Sequence, residues 1–419
     1  MGKYTDEQLR WLVERGSKSP QWAKVSVDFL EEFDLQKSPN ALRKCYDTYQ
    51  DADLSVDSLS KKSMRIRTAE NRSRGLANEV RALQDTELTL CDIEKRLHGV
   101  VDGVNYRLYK APKPEVPNKV LKRALVAHFS DAHFGNNIDK AELLINEYNS
   151  KIASSRTAFY FNQLVNYKRS DRSETGLVLL LNGDMLQGVI HNQEGNLDLI
   201  TIQFETIISV LSQGISFLAN EFPKVTVLCT TGNHDRFMHK SNKARQTAQK
   251  WDSFASLAYI ALKNVFDNSY PNVDFVVRKT PYIDYTVLGH RVFVTHGDTT
   301  FNVGNVSKNV NISAIENQIN KINNSQLTKD KKFDAFFIGH VHFPMVLLSQ
   351  TGCHIFINGC VSGTDPFAQS IGIFNNQVVQ QFVEMTPDHI GDMRFVDLRQ
   401  ADNMKSMEKI IKPRGIFLD

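Results

Sequence analysis

Two hydrophobic rhythms divide the chain. Up to about residue 97 apolar residues recur at three- and four-residue steps; beyond about residue 120 they gather in short runs between long helical stretches. Near the start, Thr5 and Gln8 form a capping box ahead of Leu9, Trp11 and Leu12. A second helix is expected at about 20–33, with Trp22, Val25, Val27, Phe29 and Leu30 supplying a core. Ser38-Pro39 opens a third, with a capping hydroxyl and proline at the first helical position. A polar break at 51–60 leads into a longer helix, where Ile66, Ala69, Leu76, Val80, Leu83, Leu90, Ile93 and Leu97 make one apolar stripe.

Pro112, Pro114 and Pro117 stiffen residues 109–119 into an extended linker. After it, Ala124–Phe129, Leu177–Leu181, Val225–Cys229 and Ala335–Ile338 read as buried strands. Helical patterns cover about Ala141–Tyr167, Leu199–Asn220 and Lys243–Phe266. A hairpin is expected at Tyr285–Val294, turning at Leu288-Gly289-His290, with further strands at His354–Ile357 and Val378–Glu384. Strands alternating with helices define an α/β class. At 419 residues the chain needs more than one core. The expected organisation is an all-helical domain at 1–50, a helical connector at 51–108, the linker, an α/β domain at 120–390, and a tail at 391–419 without an assignable pattern.

Composition narrows the classes. The chain is 41% hydrophobic and 23% charged with a net charge of +3, too small to imply a partner by itself. It has no apolar run of ~18 residues and no apolar signal core behind Met1-Gly2-Lys3-Tyr4, so no membrane span is expected. Five scattered cysteines without a C-x-x-C pair argue against a disulfide framework or thiolate zinc site and fit a reducing cytoplasm. Charge is local instead. Lys61, Lys62, Arg65, Arg67, Arg72 and Arg74 face one acid, Glu70; this is either a phosphate-contacting arm or a solvated helix face. The apolar stripe behind it could pair two copies of the chain, although Gly75 interrupts it. The three N-terminal helices resemble a helix-turn-helix of the homeodomain or Myb type. That resemblance implies a last helix laid in the DNA major groove, with Arg43 and Lys44 as candidate contacts. The alternative is a three-helix unit that binds protein or caps the enzyme.

The candidate chemistry sits at strand ends. Asp131 and His133, Asp184, Asn233-His234-Asp235, His296, and His340 and His342 each follow an apolar run. In an α/β sheet such ends share one rim, where sites are built. Asp-x-His and His-x-His place two donors on one face of an extended segment, so both can reach one centre. Mixed oxygen and imidazole donors suit manganese, iron or zinc better than magnesium or calcium. Asn233 and Asp235 alone could be an Asx turn; the other four blocks weigh against that.

In this order the blocks Asp-x-His, Gly-Asp, Gly-Asn-His-Asp, His and Gly-His-x-His resemble the calcineurin-like binuclear metallophosphoesterases over about residues 122–385. The resemblance implies a two-sheet α/β sandwich, flanked by helices, with two divalent metals on its rim, manganese first among the candidates. Asp131, His133 and His342 would hold the first metal; Asn233, His296 and His340 the second; Asp184 would bridge. His234 would sit beside the scissile phosphate, oriented by Asp235. Where this family often has Asp or Arg three residues after the metal aspartate, this chain has Gln187.

Protein phosphatases of this superfamily read Gly-Asp-x-Val-Asp-Arg-Gly and Gly-Asn-His-Glu, unlike this chain. The run Gly183-Asp-Met-Leu-Gln-Gly-Val-Ile-His-Asn-Gln193 is similar to DNA-handling members, and a helix-turn-helix-like unit on such a catalytic domain is similar to proteins encoded by bacteriophages. The expectation is therefore a DNA phosphodiesterase, a nicking endonuclease directed by the N-terminal helices. The alternative is a phosphomonoesterase or phosphodiesterase acting on a small molecule or phosphoprotein. His191 and His239 are weaker candidates for phosphate contacts.

Overall fold

In the computed structural model, which describes residues 4–18, 21–50, 120–141, 143, 145–167, 173–189, 197–237, 249–301, 311–325, 331–370 and 377–403, the chain forms two units, 1–89 and 90–419. In the first, α1 (Asp6–Lys18), α2 (Trp22–Phe33) and α3 (Pro39–Tyr49) enclose Leu9, Leu12, Val25, Phe29, Leu42 and Cys45. Both expected caps form. Thr5 N–H donates to Gln8 Oε1 at 2.9 Å and Gln8 N–H returns to Thr5 Oγ1 at 3.2 Å, while Ser38 Oγ accepts from Ala41 N–H at 3.3 Å. Val27 and Leu30, expected in this core, are 55% and 40% exposed. The inward stripe of α2 runs through Val25 and Phe29, four residues apart, and turns the other two outward.

The second unit is a stack of two sheets between helical layers. The first sheet has the order β11-β10-β1-β2-β3-β4: β1 (Arg123–Phe129), β2 (Thr175–Asn182), β3 (Val225–Thr230) and β4 (Val273–Val277) are parallel, and β10 (Val379–Met385) and β11 (Ile390–Asp397) are antiparallel additions. The second has the order β5-β6-β7-β9-β8. Here β6 (His290–Thr295), β7 (Ala335–Ile338) and β9 (His354–Ile357) are parallel, with β5 (Tyr282–Val287) and β8 (Met345–Leu348) antiparallel at the edges.

The side-chain period of two explains why the strands read as unbroken apolar runs. Leu125, Ala127 and Phe129 of β1 face the helices α4 (Ser150–Asn166), α5 (Ile200–Glu221) and α6 (Phe254–Ser269). Ala124 and Val126 face the other way, into a layer shared with Val178, Leu180, Val292, Val294, Phe337 and Phe356 between the sheets. Phe293, Phe336 and Ile338 cover the outer face of the second sheet under α7 (Ile312–Asn323). Strands buried on both faces leave no polar alternation to read.

Two helices begin later than their apolar patterns suggest. α4 starts at Ser150, where Asn149 Oδ1 accepts from the N–H groups of Lys151 and Ile152. α6 starts at Phe254 behind the Ser253 cap, and residues 249–253 instead run back beside the β3 loop. β4, α7, β8 and β11 have no sequence expectation. β8 has four residues, and β11 exposes Met393 and Phe395 as an edge strand, so neither carries a burial pattern. Arg156 closes this end of the unit. Its buried guanidinium meets Asp402 through two hydrogen bonds, 3.1 and 2.9 Å, and donates to the Val361 carbonyl at 2.8 Å. The amphipathic connector with Arg65 and Arg67, the proline linker, His191, His239 and residues 404–419 lie outside the described residues.

Candidate metal centre

Parallel strands set all five motif blocks on one rim. Asp131 follows β1, Asp184 follows β2, Asn233 to Asp235 follow β3, His296 follows β6 and His340 follows β7. The chain bends sharply at each exit. Asp131, His133, Asp184, His340 and His342 all have positive φ, between 50° and 67°, and only Asp34 and Leu288 share that feature among the other described non-glycine residues. Left-handed backbone costs a non-glycine residue about 1–2 kcal/mol, so its clustering marks positions held for geometry. Glycines explain how the blocks approach one another. A Cβ on Gly232 would stand 2.0 Å from Asp184 Oδ1, and one on Gly183, 2.6 Å from His296 Nδ1.

The donors converge in three overlapping groups whose ligand atoms all lie within 4.8 Å of one another: Asp131, His133 and His342; His133, Asp184 and His234; and Asp184, His296 and His340. Asp131 Oδ1 lies 3.1 Å from His342 Nε2, and His133 Nε2 lies 3.2 Å from His342 Nε2. His296 Nε2 lies 3.1 Å from Asp184 Oδ2. Asn233 Oδ1 is buried without a donor. The close grouping of these side chains, with their mix of carboxylate, carboxamide and imidazole, fits a borderline first-row divalent ion.

Electrostatics favour positive charge at this rim. Burial works to raise the Asp184 carboxyl, but His296, His234 and His133 outweigh it and hold it well below the usual carboxylate range. Burial works to lower His296, but Asp184 and Asp131 raise it to about 9. Burial drives His133 down to about 3 and His340 to about 4, aided by neighbouring imidazoles, so both present neutral rings with a free lone pair.

Supporting bonds fix the rings. The Nδ1–H of His296 faces the Asn182 carbonyl at 2.9 Å, which leaves Nε2 toward Asp184. Asn182 is itself held by the Thr230 hydroxyl at 2.6 Å and lies 2.8 Å from His128 Nε2. His340 N–H donates to both Asp131 oxygens, at 3.0 and 3.2 Å, and His234 N–H donates to Asp184 Oδ1 at 2.7 Å.

The structure corrects the role expected for Asp235. Its carboxylate accepts from the backbone N–H groups of Gly232 (2.7 Å), Asp184 (2.9 Å) and Leu186 (3.2 Å). It ties two loops together and does not orient His234, whose Nδ1 instead faces the Gln187 carbonyl at 2.9 Å. Two further features had no sequence signal: a buried ion pair between Lys250 and Asp298, and Cys360, whose thiol lies against His342. Arg43 and Lys44 are placed in the N-terminal unit, on the exposed side of α3 opposite Leu42 and Cys45.

His128 is structural, as its position inside a strand suggests, and has a measurable consequence. Burial holds its imidazole down at about 3, against an ordinary value near 6.5. The folded state therefore refuses a proton that the unfolded chain accepts. The associated stability is complete above about pH 6.5 and falls by about 1.4 kcal/mol per unit as pH drops toward 3. Urea midpoints between pH 7.5 and 5.5 should fall less steeply in His128→Asn than in the parent; equal slopes would refute this assignment.

A two-sheet sandwich with a clustered acid and histidine rim defines a metal-dependent phosphoester hydrolase. The calcineurin-like phosphoesterase family matches residues 124–357, and the chain belongs to that family. Similar solved structures include a conserved predicted phosphoesterase from Streptococcus pneumoniae TIGR4, at 10% identity and a TM-score of 0.29 over 67% of this chain and 92% of that one. A 5'-nucleotidase from Candida albicans is 13% identical with a TM-score of 0.31, over 69% of this chain and 55% of that one. Vps29 from Entamoeba histolytica is 10% identical with a TM-score of 0.26, over 66% and 98%. Similarity this low does not bear on substrate. No curated protein sequence matches the chain.

Proposed function

We propose that the protein is a metal-dependent DNA phosphodiesterase, an endonuclease that nicks duplex DNA and is directed to it by the N-terminal helices. The observation that carries the hydrolytic part is the convergence of Asp131, His133, Asp184, His296, His340 and His342 with the unpartnered Asn233 Oδ1. Asp131, His133 and His342 would hold one cation and Asn233, His296 and His340 a second, with Asp184 between them. Bound divalent cations there supply Lewis acidity toward a phosphoryl oxygen and lower the pKa of water. Manganese is the first candidate, then iron or zinc.

The chain's own groups do the rest. The Gln187 carbonyl lies 2.9 Å from His234 Nδ1, so Nε2 is the ring atom that would carry a proton to a departing oxygen. Asp184 Oδ1 fixes the backbone of the same residue. Asp235 holds the Asp184 and His234 loops in register through three N–H groups.

The DNA part rests on the N-terminal unit. Its first fifty residues hold eight basic and eight acidic side chains, so affinity would come from one face and not from net field. α3 presents Arg43 and Lys44 on its exposed side, with Arg65 and Arg67 as further candidates in the connector. Arg43→Ala with Lys44→Ala is expected to weaken duplex binding and flatten its dependence on log[salt] by about two. An unchanged slope in a binding titration would remove α3 from the interface.

Supercoiled plasmid with Mn²⁺ tests the whole reading. Open circles made by the intact protein, and absent with His234→Ala, support nicking; untouched plasmid beside rapid hydrolysis of a small phosphodiester would sink it. A second reading is a phosphoesterase for small molecules or phosphoproteins whose N-terminal unit binds protein. The exposed Val27 and Leu30 of α2 favour it.

A further inference from the structure

Lys250 and Asp298 form an ion pair whose side chains are only 3% and 6% exposed. Buried pairs contribute little net stability, because desolvation offsets their attraction. Their placement is the informative feature. Asp298 lies two residues after His296, in the loop that leaves β6 of the second sheet. Lys250 belongs to the segment that returns along the β3 loop of the first sheet. That segment is joined to the loop at three points: Thr231 Oγ1 donates to the Lys250 carbonyl at 3.0 Å, Phe254 N–H donates to the Asp235 carbonyl at 2.8 Å, and Arg236 bridges Ser253. The pair thus spans the two sheets, between the loop carrying Asn233 and the loop carrying His296.

The other donors do not depend on this span. Asp131 N–H donates to the Gly183 carbonyl and His133 N–H to the Asp184 carbonyl, each at 3.0 Å. His340 is anchored by Asp131. We propose that the Lys250–Asp298 pair is a positioning device for the second cation: it sets the separation of Asn233 and His296, and leaves the Asp131–His133–His342 group unaffected. This rests on the two-cation reading above.

The test is a Mn²⁺ binding titration of the metal-stripped full-length protein, with bound metal counted per chain and melting followed in EDTA. The expected result is two ions on the parent. In Lys250→Met the second ion should bind about 10–100-fold more weakly, while the first stays within about threefold. Asp298→Asn should behave alike, Lys250→Arg should keep most of the second affinity, and the double variant should be no worse than either single one. Two ions bound with parental affinities in both single variants would overturn the proposal. So would equal weakening of both ions in step with a lower melting temperature in EDTA, which marks a merely structural role. A parent that binds fewer than two ions would instead sink the two-cation reading, and this inference with it.

Discussion

His234→Ala is expected to lower phosphodiester turnover by about 10²–10⁴, with little change in metal content. The separation of these effects is the point. His234 Nδ1 is held by the Gln187 carbonyl, and its ring packs edge-on to His133 with centroids 4.7 Å apart, so Nε2 lies beside the donor cluster. In the proposed reading, removing the imidazole takes away a proton donor. It leaves intact Asp131, His133 and His342 on one side and His296 and His340 on the other. Substrates with good leaving groups need less protonation and should lose less rate. A p-nitrophenyl diester compared with an alkyl diester reads this directly. Equal losses on both, or loss of bound metal, would count against a proton-donor role.

Asp184→Asn is expected to do more, lowering kcat/KM by at least ~10³ and weakening both cations. This carboxylate belongs to two of the three donor groups. One oxygen accepts from His234 N–H at 2.7 Å and the other lies 3.1 Å from His296 Nε2. A carboxamide cannot serve both directions, since its NH₂ must face either a backbone donor or the cation side. It also removes the charge that the surrounding imidazoles stabilise. Binding-linked stabilisation should vanish as well. In the parent, Mn²⁺ bound at a hundred times its Kd would add about 2.7 kcal/mol. Melting curves with and without Mn²⁺ should therefore separate for the parent and coincide for Asp184→Asn; a parental Mn²⁺ response in the variant would contradict the bridging assignment.

Much of this site was legible in the chain because ligand spacing and strand ends are local. Gly183-Asp184 and Gly232-Asn233-His234 carry their own steric reason, since a Cβ at either glycine would collide with the neighbouring block. The central strands were legible as unbroken apolar runs, as β1 and β2 are buried on both faces. What escaped was either exposed or long-range. β11 buries only Val396 and leaves its middle exposed, and β8 is an edge of four residues. The helix ending at Ser269 starts at Phe254, later than its apolar pattern suggests, and the residues just before it bond to the β3 loop, with Thr231 Oγ1 on the Lys250 carbonyl. Asp235 looked like a partner for its neighbour His234, yet three N–H groups of folded loops claim its oxygens. Lys250 pairs with Asp298 across 48 positions, a contact that no local pattern encodes.

The most direct test of the account is to strip the protein of metal, return Mn²⁺ in steps of ions per chain, and follow bound metal and hydrolysis of bis(p-nitrophenyl) phosphate together. Saturation is expected at two ions per chain, with activity appearing as the second ion binds and lost again on chelation. Saturation at a single ion, or hydrolysis that persists in chelator, would contradict it.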